Sequence, residues 1–308
     1  MAARGEVRRQ TQPGAVIRSG FTFPYSKRGL VATVIGQSGA WHAIVVDIAR
    51  RGHTVSTPED IEPLLGRVKA DRQGAIDAHR AETMRAVQEQ SIRIAQLNAE
   101  RGFFIRFFNR AKIKALRSQI SALYASDAAY PAYLDQTIHR VEALSGSPEL
   151  AGALAELEVI DRLQELPDTC AVFNDVRLQA TRHIYFDGAS LQSAQVDHLV
   201  LSPAGVFVIE TKHWSRATAE SGAHHDPFDQ SARAGYLCYD LLHEAFGKTK
   251  VRSLIAYLGS LPSPPAGTKV KAIPVAELCG YITWFAKAEL DPARVEQLRL
   301  FFERRVAT

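Results

Sequence analysis

A chain of 308 residues and 33.9 kDa has room for roughly two domains, and its 46% apolar and 23% charged residues are ordinary globular composition, which excludes a disordered or fibrous protein. The opening MAARGEVRRQTQPG lacks an apolar segment and no run of about 18 apolar residues escapes interruption by charge, so secretory and membrane-spanning readings fall away and a cytoplasmic protein is expected. The net charge of +4 divides unevenly: residues 1–117 hold 20 Lys and Arg against 10 Asp and Glu, while the rest hold 17 against 23. A basic first third attracts a polyanion, either nucleic acid or an anionic membrane surface. The three cysteines, Cys170, Cys238 and Cys279, lie far apart without C-x-x-C spacing, which fits a reduced compartment and no cysteine zinc site.

Along residues 15–65, short β-branched runs alternate with turn signals: AVIRSGFTF, LVATVI, a turn at Gly36-Gln-Ser-Gly39, WHAIVVDIA and HTVST. The spacing predicts a small all-β unit, and the pattern resembles an SH3-like barrel. Over 67–145 helix formers dominate, with Met84, Val87, Ile94 and Leu97 near heptad spacing. The segment RGFFIRFFNRAKIKALRSQ interleaves phenylalanines with Arg106, Arg110, Lys112, Lys114 and Arg117, and no acid falls between Arg101 and Arg117. Such a stretch packs its phenylalanines in a helical hairpin, meets nucleic-acid phosphates, or lies on a membrane surface. SGSPEL, at 145–150, has linker chemistry and opens a new unit.

From Glu149 the pattern reads helix, strand, strand, strand, helix, strand, strand, helix. In the first helix Gly152, Glu156, Val159, Ile160 and Leu163 share one stripe, which places a carboxylate among core-facing residues. SAQVDHLVLSPAGVFVIETKHW reads as two strands joined by a type I turn at Ser202-Pro-Ala-Gly205. Pairing Ser202 with Gly205 sets Asp197 opposite Glu210, and Lys212 projects from the same face two residues on. Opposed carboxylates repel unless a cation lies between them, and oxygen ligands of this kind suit Mg²⁺, with Mn²⁺ able to substitute. A nearby ammonium can orient a water or stabilise developing charge.

These residues carry a resemblance to the nuclease-related domain (NERD) of the PD-(D/E)xK restriction-endonuclease-like superfamily, over 149 to about 285. Gly152-Ala-Leu-Ala-Glu-Leu-Glu-Val159 is similar to the family's G-A-x-G-E-x-x-V, with Ala155 for the second glycine; Gln195-Val-Asp-His198 and Gly205-Val-Phe-Val-Ile-Glu-Thr-Lys212 match its two strand motifs. Asp226-Pro-Phe-Asp-Gln230 stands where the family has N-P-x-x-Q. The resemblance implies an α+β domain with a mixed sheet flanked by helices, Asp197 and Glu210 as metal ligands, Glu156 as a third acid, Lys212 beside the water, and Gln230 reaching the metal shell or a phosphate. His198 is expected as a packed or hydrogen-bonded side chain rather than a base.

The expected organisation is a small β domain over 1–66, a basic helical arm or hairpin over 67–145, and a nuclease-like domain with a C-terminal helix over 146–308. The expected function is a Mg²⁺-dependent nuclease acting on DNA in preference to RNA, in defence against foreign DNA, with a second copy or a partner defence protein left open. The rival is a non-catalytic nucleic-acid-binding or assembly module that keeps the fold while a partner supplies the activity. Gly247-Lys-Thr249 is set aside as a P-loop, because Leu242 occupies the place of the first glycine.

Overall fold

The computed structural model describes residues 31–100, 103–221, 225–285 and 287–306, for 103–106 the backbone alone. Near its start the structure corrects the sequence reading. The run WHAIVVDIA, expected as a barrel strand, lies in helix α1 (Gly39–Arg50), started by Ser38, whose Oγ accepts from the Trp41 N–H at 3.0 Å. Trp41, Ile44 and Ile48 form one buried stripe at i, i+3, i+7 and pack with Leu144 and Ala153. Burial of that stripe outweighs the β propensity of Ile44, Val45, Val46 and Ile48, which is a context-dependent preference.

Strand β1 (Thr33–Ile35) comes from the LVATVI run, but it closes no barrel. It pairs in parallel with β2 (Ala171–Phe186) at the edge of the main sheet. Among the described residues 31–65 there is therefore no SH3-like barrel; the run expected as a strand at 15–23 lies outside the described residues.

Helices α2 (Ile61–Ala99) and α3 (Phe103–Leu144) run side by side. At 1.5 Å per residue each extends about 60 Å. Their base is apolar, with Ile61, Leu64 and Val68 packed on Val141 and Leu144. Farther out, ion pairs take over: Arg72 forks onto Asp135 at 2.7 and 2.8 Å, and Lys69 meets Glu142. Of the residues at near-heptad spacing Val87 is buried, whereas Met84 is exposed.

The sheet order is β1-β2-β3-β4-β5-β6, with β3 (Ala189–Ser202), β4 (Gly205–Trp214), β5 (Val251–Gly259) and β6 (Lys271–Pro274). Strands β2, β3 and β4 are antiparallel neighbours, and β4, β5 and β6 run parallel, so the sheet is mixed. Helix α4 (Pro148–Leu163) and α7 (Leu278–Thr283) cover one face through Val159, Leu163, Leu278 and Ile282. Helix α6 (Pro227–Phe246) and α8 (Pro292–Glu303) cover the other through Ala234, Leu237, Leu298 and Phe302, and a short α5 (Arg216–Ser221) follows β4. Gly235 sets how closely α6 approaches: a Cβ there would lie 1.8 Å from Ser253 Oγ on β5. Ala155 is 2% exposed, so its methyl sits within the packing of α4.

Candidate functional site

The β3–β4 connection fixes the first two acids. Ser202 pairs with Gly205 and the ladder runs on to His198 opposite Ile209. One register position further stand Asp197 and Glu210, where the ladder opens and the Thr211 N–H donates to Asp197 Oδ2 at 2.7 Å. Residues alternate across a strand, so Asp197, Glu210 and Lys212 share the α6 face with Leu199 and Val208. Glu210 is only 4% exposed. Its Oε1 accepts from Lys212 Nζ and from Gln230 Nε2, both at 2.6 Å, and the same ammonium reaches Gln230 Oε1 at 3.2 Å. Gln230 is delivered by the first turn of α6, which Asp226 caps by accepting from the Phe228 N–H at 2.8 Å. Aspartate is among the residues that cap helices best.

Glu156 comes from α4 and is half-buried. Its Oε2 accepts from Ser38 Oγ at 2.7 Å and from the Ala40 N–H at 3.2 Å, both at the start of α1. Sequence reasoning missed these partners, and also Asp175, held at φ 53° in β2 and bonded by Gln195. Aspartate tolerates the left-handed region better than most residues.

The carboxyls affect one another. Burial above all, then the charges of Glu210 and Glu156, hold the Asp197 carboxyl well above the usual carboxylate range. Burial, with Asp175 and Glu210 adding to it, raises Glu156 against the two hydrogen bonds that oppose the shift. Glu210 is raised by burial although Lys212 and Gln230 pull the other way. Among the described residues no three His, Cys, Asp or Glu side chains already stand in a ligating arrangement. The donor chemistry nevertheless fits a hard divalent cation: three mutually repelling carboxyls, with Asp197 Oδ1, Glu210 Oε2 and Glu156 Oε1 taking no protein hydrogen bond among the described residues.

His198 lies outside this polar group, on the opposite face. It is 0% exposed, Nδ1 donates to Asn174 Oδ1 at 2.8 Å, and Nε2 accepts from Thr211 Oγ1 at 3.0 Å. Burial pushes its pKa down to about 3, so it stays neutral and packed, as the sequence reading expected.

The basic residues are not brought to the carboxylates. Arg110, Lys112, Lys114 and Arg117 lie on α3, about 40–50 Å along the hairpin from Leu144 by helical rise; Arg106 is on the same helix, its side chain outside the described set. All four are exposed, and among the described residues none enters an ion pair. Arg110, Lys114 and Arg117 share a face by i, i+4, i+7 spacing, whereas Lys112 lines the groove against Arg93 and Leu97 of α2. Phe107 and Phe108, at 66% and 67% exposure, pack edge-to-face on each other and not into a core.

The mixed sheet thus carries Asp197 and Glu210 on neighbouring strands, Lys212 two residues beyond and the helix-borne amide of Gln230 beside it. The family model described as nuclease-related domain matches residues 151–258, which include Glu156, Asp197, Glu210, Lys212 and Gln230. Over those residues the chain is similar to a nuclease-related domain, and such a domain implies interaction with nucleic acid. No curated protein and no solved structure matched the chain. Among the described residues no helix is long and apolar enough to cross a membrane.

Proposed function

We propose that the chain is a restriction-endonuclease-like, metal-dependent nuclease that hydrolyses phosphodiester bonds, with DNA as its substrate and defence against foreign DNA as its setting. The observation that carries the reading is the closeness of Asp197 and Glu210 just past the last paired position of β3 and β4, with the Lys212 ammonium 2.6 Å from Glu210 and Gln230 bonded to both Glu210 and Lys212. Asp197, Glu210 and Glu156 would hold Mg²⁺ or Mn²⁺. Bound there, the ion would supply Lewis acidity, lowering the pKa of a water and neutralising charge on the phosphate. Lys212, released from Glu210, is within reach to donate to a phosphate oxygen or orient the incoming water, and Gln230 holds the ammonium on that side of the site. Arg110, Lys114 and Arg117 would grip phosphates at a distance from the cut, with Lys112 and Arg106 adding to the local field.

One observation favours the rival reading, a non-catalytic binding module. Glu210 already has a compensating charge in Lys212 and a hydrogen bond from Gln230, which lets the fold persist without an ion. Purified protein incubated with Mg²⁺ or Mn²⁺ and linear, supercoiled or single-stranded DNA, or RNA, separates the two. Cleavage that is strongest on DNA and absent in Asp197→Ala is expected. Binding without cleavage of any substrate, with either metal, would establish the module reading instead.

A further inference from the structure

We infer that the turn at residues 36–40, over a hundred residues upstream of the matched domain, belongs to the same centre, and that Ser38 is the positioning residue of Glu156. The inference rests on Glu156 as a metal-holding acid, the reading proposed above. Ser38 is 1% exposed and its hydroxyl has one proton and two lone pairs. As acceptor it caps α1 through the Trp41 N–H, which leaves the proton for Glu156 Oε2 at 2.7 Å. The Ala40 N–H donates to the same oxygen at 3.2 Å. Glu156 Oε2 is thus fixed by two donors at the positive end of a 12-residue helix, while Oε1 takes no protein hydrogen bond among the described residues. A glutamate pinned through one oxygen keeps little rotamer freedom and presents the other at a set place. That is the task of groups that orient metal ligands from outside the coordination sphere.

The turn is itself fixed to the sheet beside Asp197. Gly36 has φ 85°, and a Cβ there would lie 2.6 Å from the Asn174 carbonyl on β2, so only glycine brings the turn so close. Asn174 in turn bonds His198, the residue after Asp197. The path from Ser38 to the strand acids therefore runs through short contacts on three elements, β2, β3 and α1.

The test is Mn²⁺ titration calorimetry on the full chain and on Ser38→Gly, Ser38→Ala, Ser38→Thr and Asp197→Ala, with thermal melts of each. Glycine caps a helix nearly as well as serine, alanine keeps the backbone restraint that glycine loses, and threonine keeps the hydroxyl. Ser38→Gly and Ser38→Ala should bind Mn²⁺ about tenfold more weakly or worse, as loss of an orienting partner typically does. The metal concentration for half-maximal cleavage should rise in parallel, and Ser38→Thr should stay near the unmodified protein. If either hydroxyl-free variant melts cooperatively and binds Mn²⁺ at unmodified strength, the role is overturned. Mn²⁺ bound by the unmodified protein, lost in Asp197→Ala and indifferent to Ser38, overturns this role alone. No Mn²⁺ binding by the unmodified protein removes the metal reading and this role with it.

Discussion

Around β3 and β4 each charged side chain is tied to a partner: Glu210 to Lys212 and Gln230, Asp197 to the Thr211 N–H, Glu156 to Ser38 and Ala40. Along α2 and α3 the charges stand in water, paired along the surface as in Arg93–Glu89, or carrying no ion pair among the described residues, as Arg110 and Lys114 do. The difference in cost is informative. Exposed pairs contribute at most about 1 kcal/mol and are easily exchanged, whereas taking carboxylates out of water costs several kcal/mol unless partners or a cation offset it. Like-charged acids kept together at that cost point to chemistry, and free surface cations point only to what the arm touches.

The comparison breaks first at Lys212. If its ammonium acts in cleavage, both Lys212→Ala and Lys212→Arg should slow cutting about a hundredfold or more, because a planar guanidinium does not reproduce a compact ammonium. Folding and nucleic-acid binding should persist. An unchanged rate for Lys212→Arg would reduce the Glu210 contact to an ordinary ion pair.

The hairpin responds differently. Reversing Arg110, Lys114 and Arg117 to Glu should weaken nucleic-acid binding and make its log–log salt dependence shallower by about 2–3, since each phosphate contact contributes close to one. The rate at saturating substrate should hold. A salt slope identical to that of the unmodified protein would show that α3 makes no phosphate contact.

The smallest effect sharpens the electrostatic side. Asp197→Asn removes one of the repelling charges yet keeps an oxygen for the Thr211 N–H. The ion-free protein should therefore gain about 1 kcal/mol, a few degrees in melting temperature, while cleavage is lost. A lower melting temperature would mean that the acids are not in conflict in the ion-free fold.

Much of the centre was legible because its signals are local. Pro203 and Gly205 fix a turn, a strand's period of two carries the register outward to Asp197 and Glu210, and Asp226 with Pro227 starts the helix that holds Gln230. What stayed hidden depends on long-range contact. Ser38 and Glu156 are separated by 118 positions, and nothing near either announces the other. The run from Trp41 to Ala49 has β-branched composition together with apolar residues that also satisfy a helical stripe, and only packing on α4 decides between them. The phenylalanines of α3 read as core by composition, but Phe107 and Phe108 lie on a helix pair too thin to cover both of its sides.

The helical hairpin also bears on how quickly the sheet can close. β1 must meet β2 across roughly 135 residues of intervening chain, and the entropy of closing a loop grows as (3/2)RT ln n. A pair of antiparallel helices, built from contacts near in sequence, returns the chain from Leu144 to the neighbourhood of Ile61 and removes its own 84 residues from that search. The effective loop shrinks to roughly 50 residues and its closure becomes about 1 kcal/mol less costly. An arm that makes no contact with the carboxylates thus shortens the route by which Ser38 reaches Glu156.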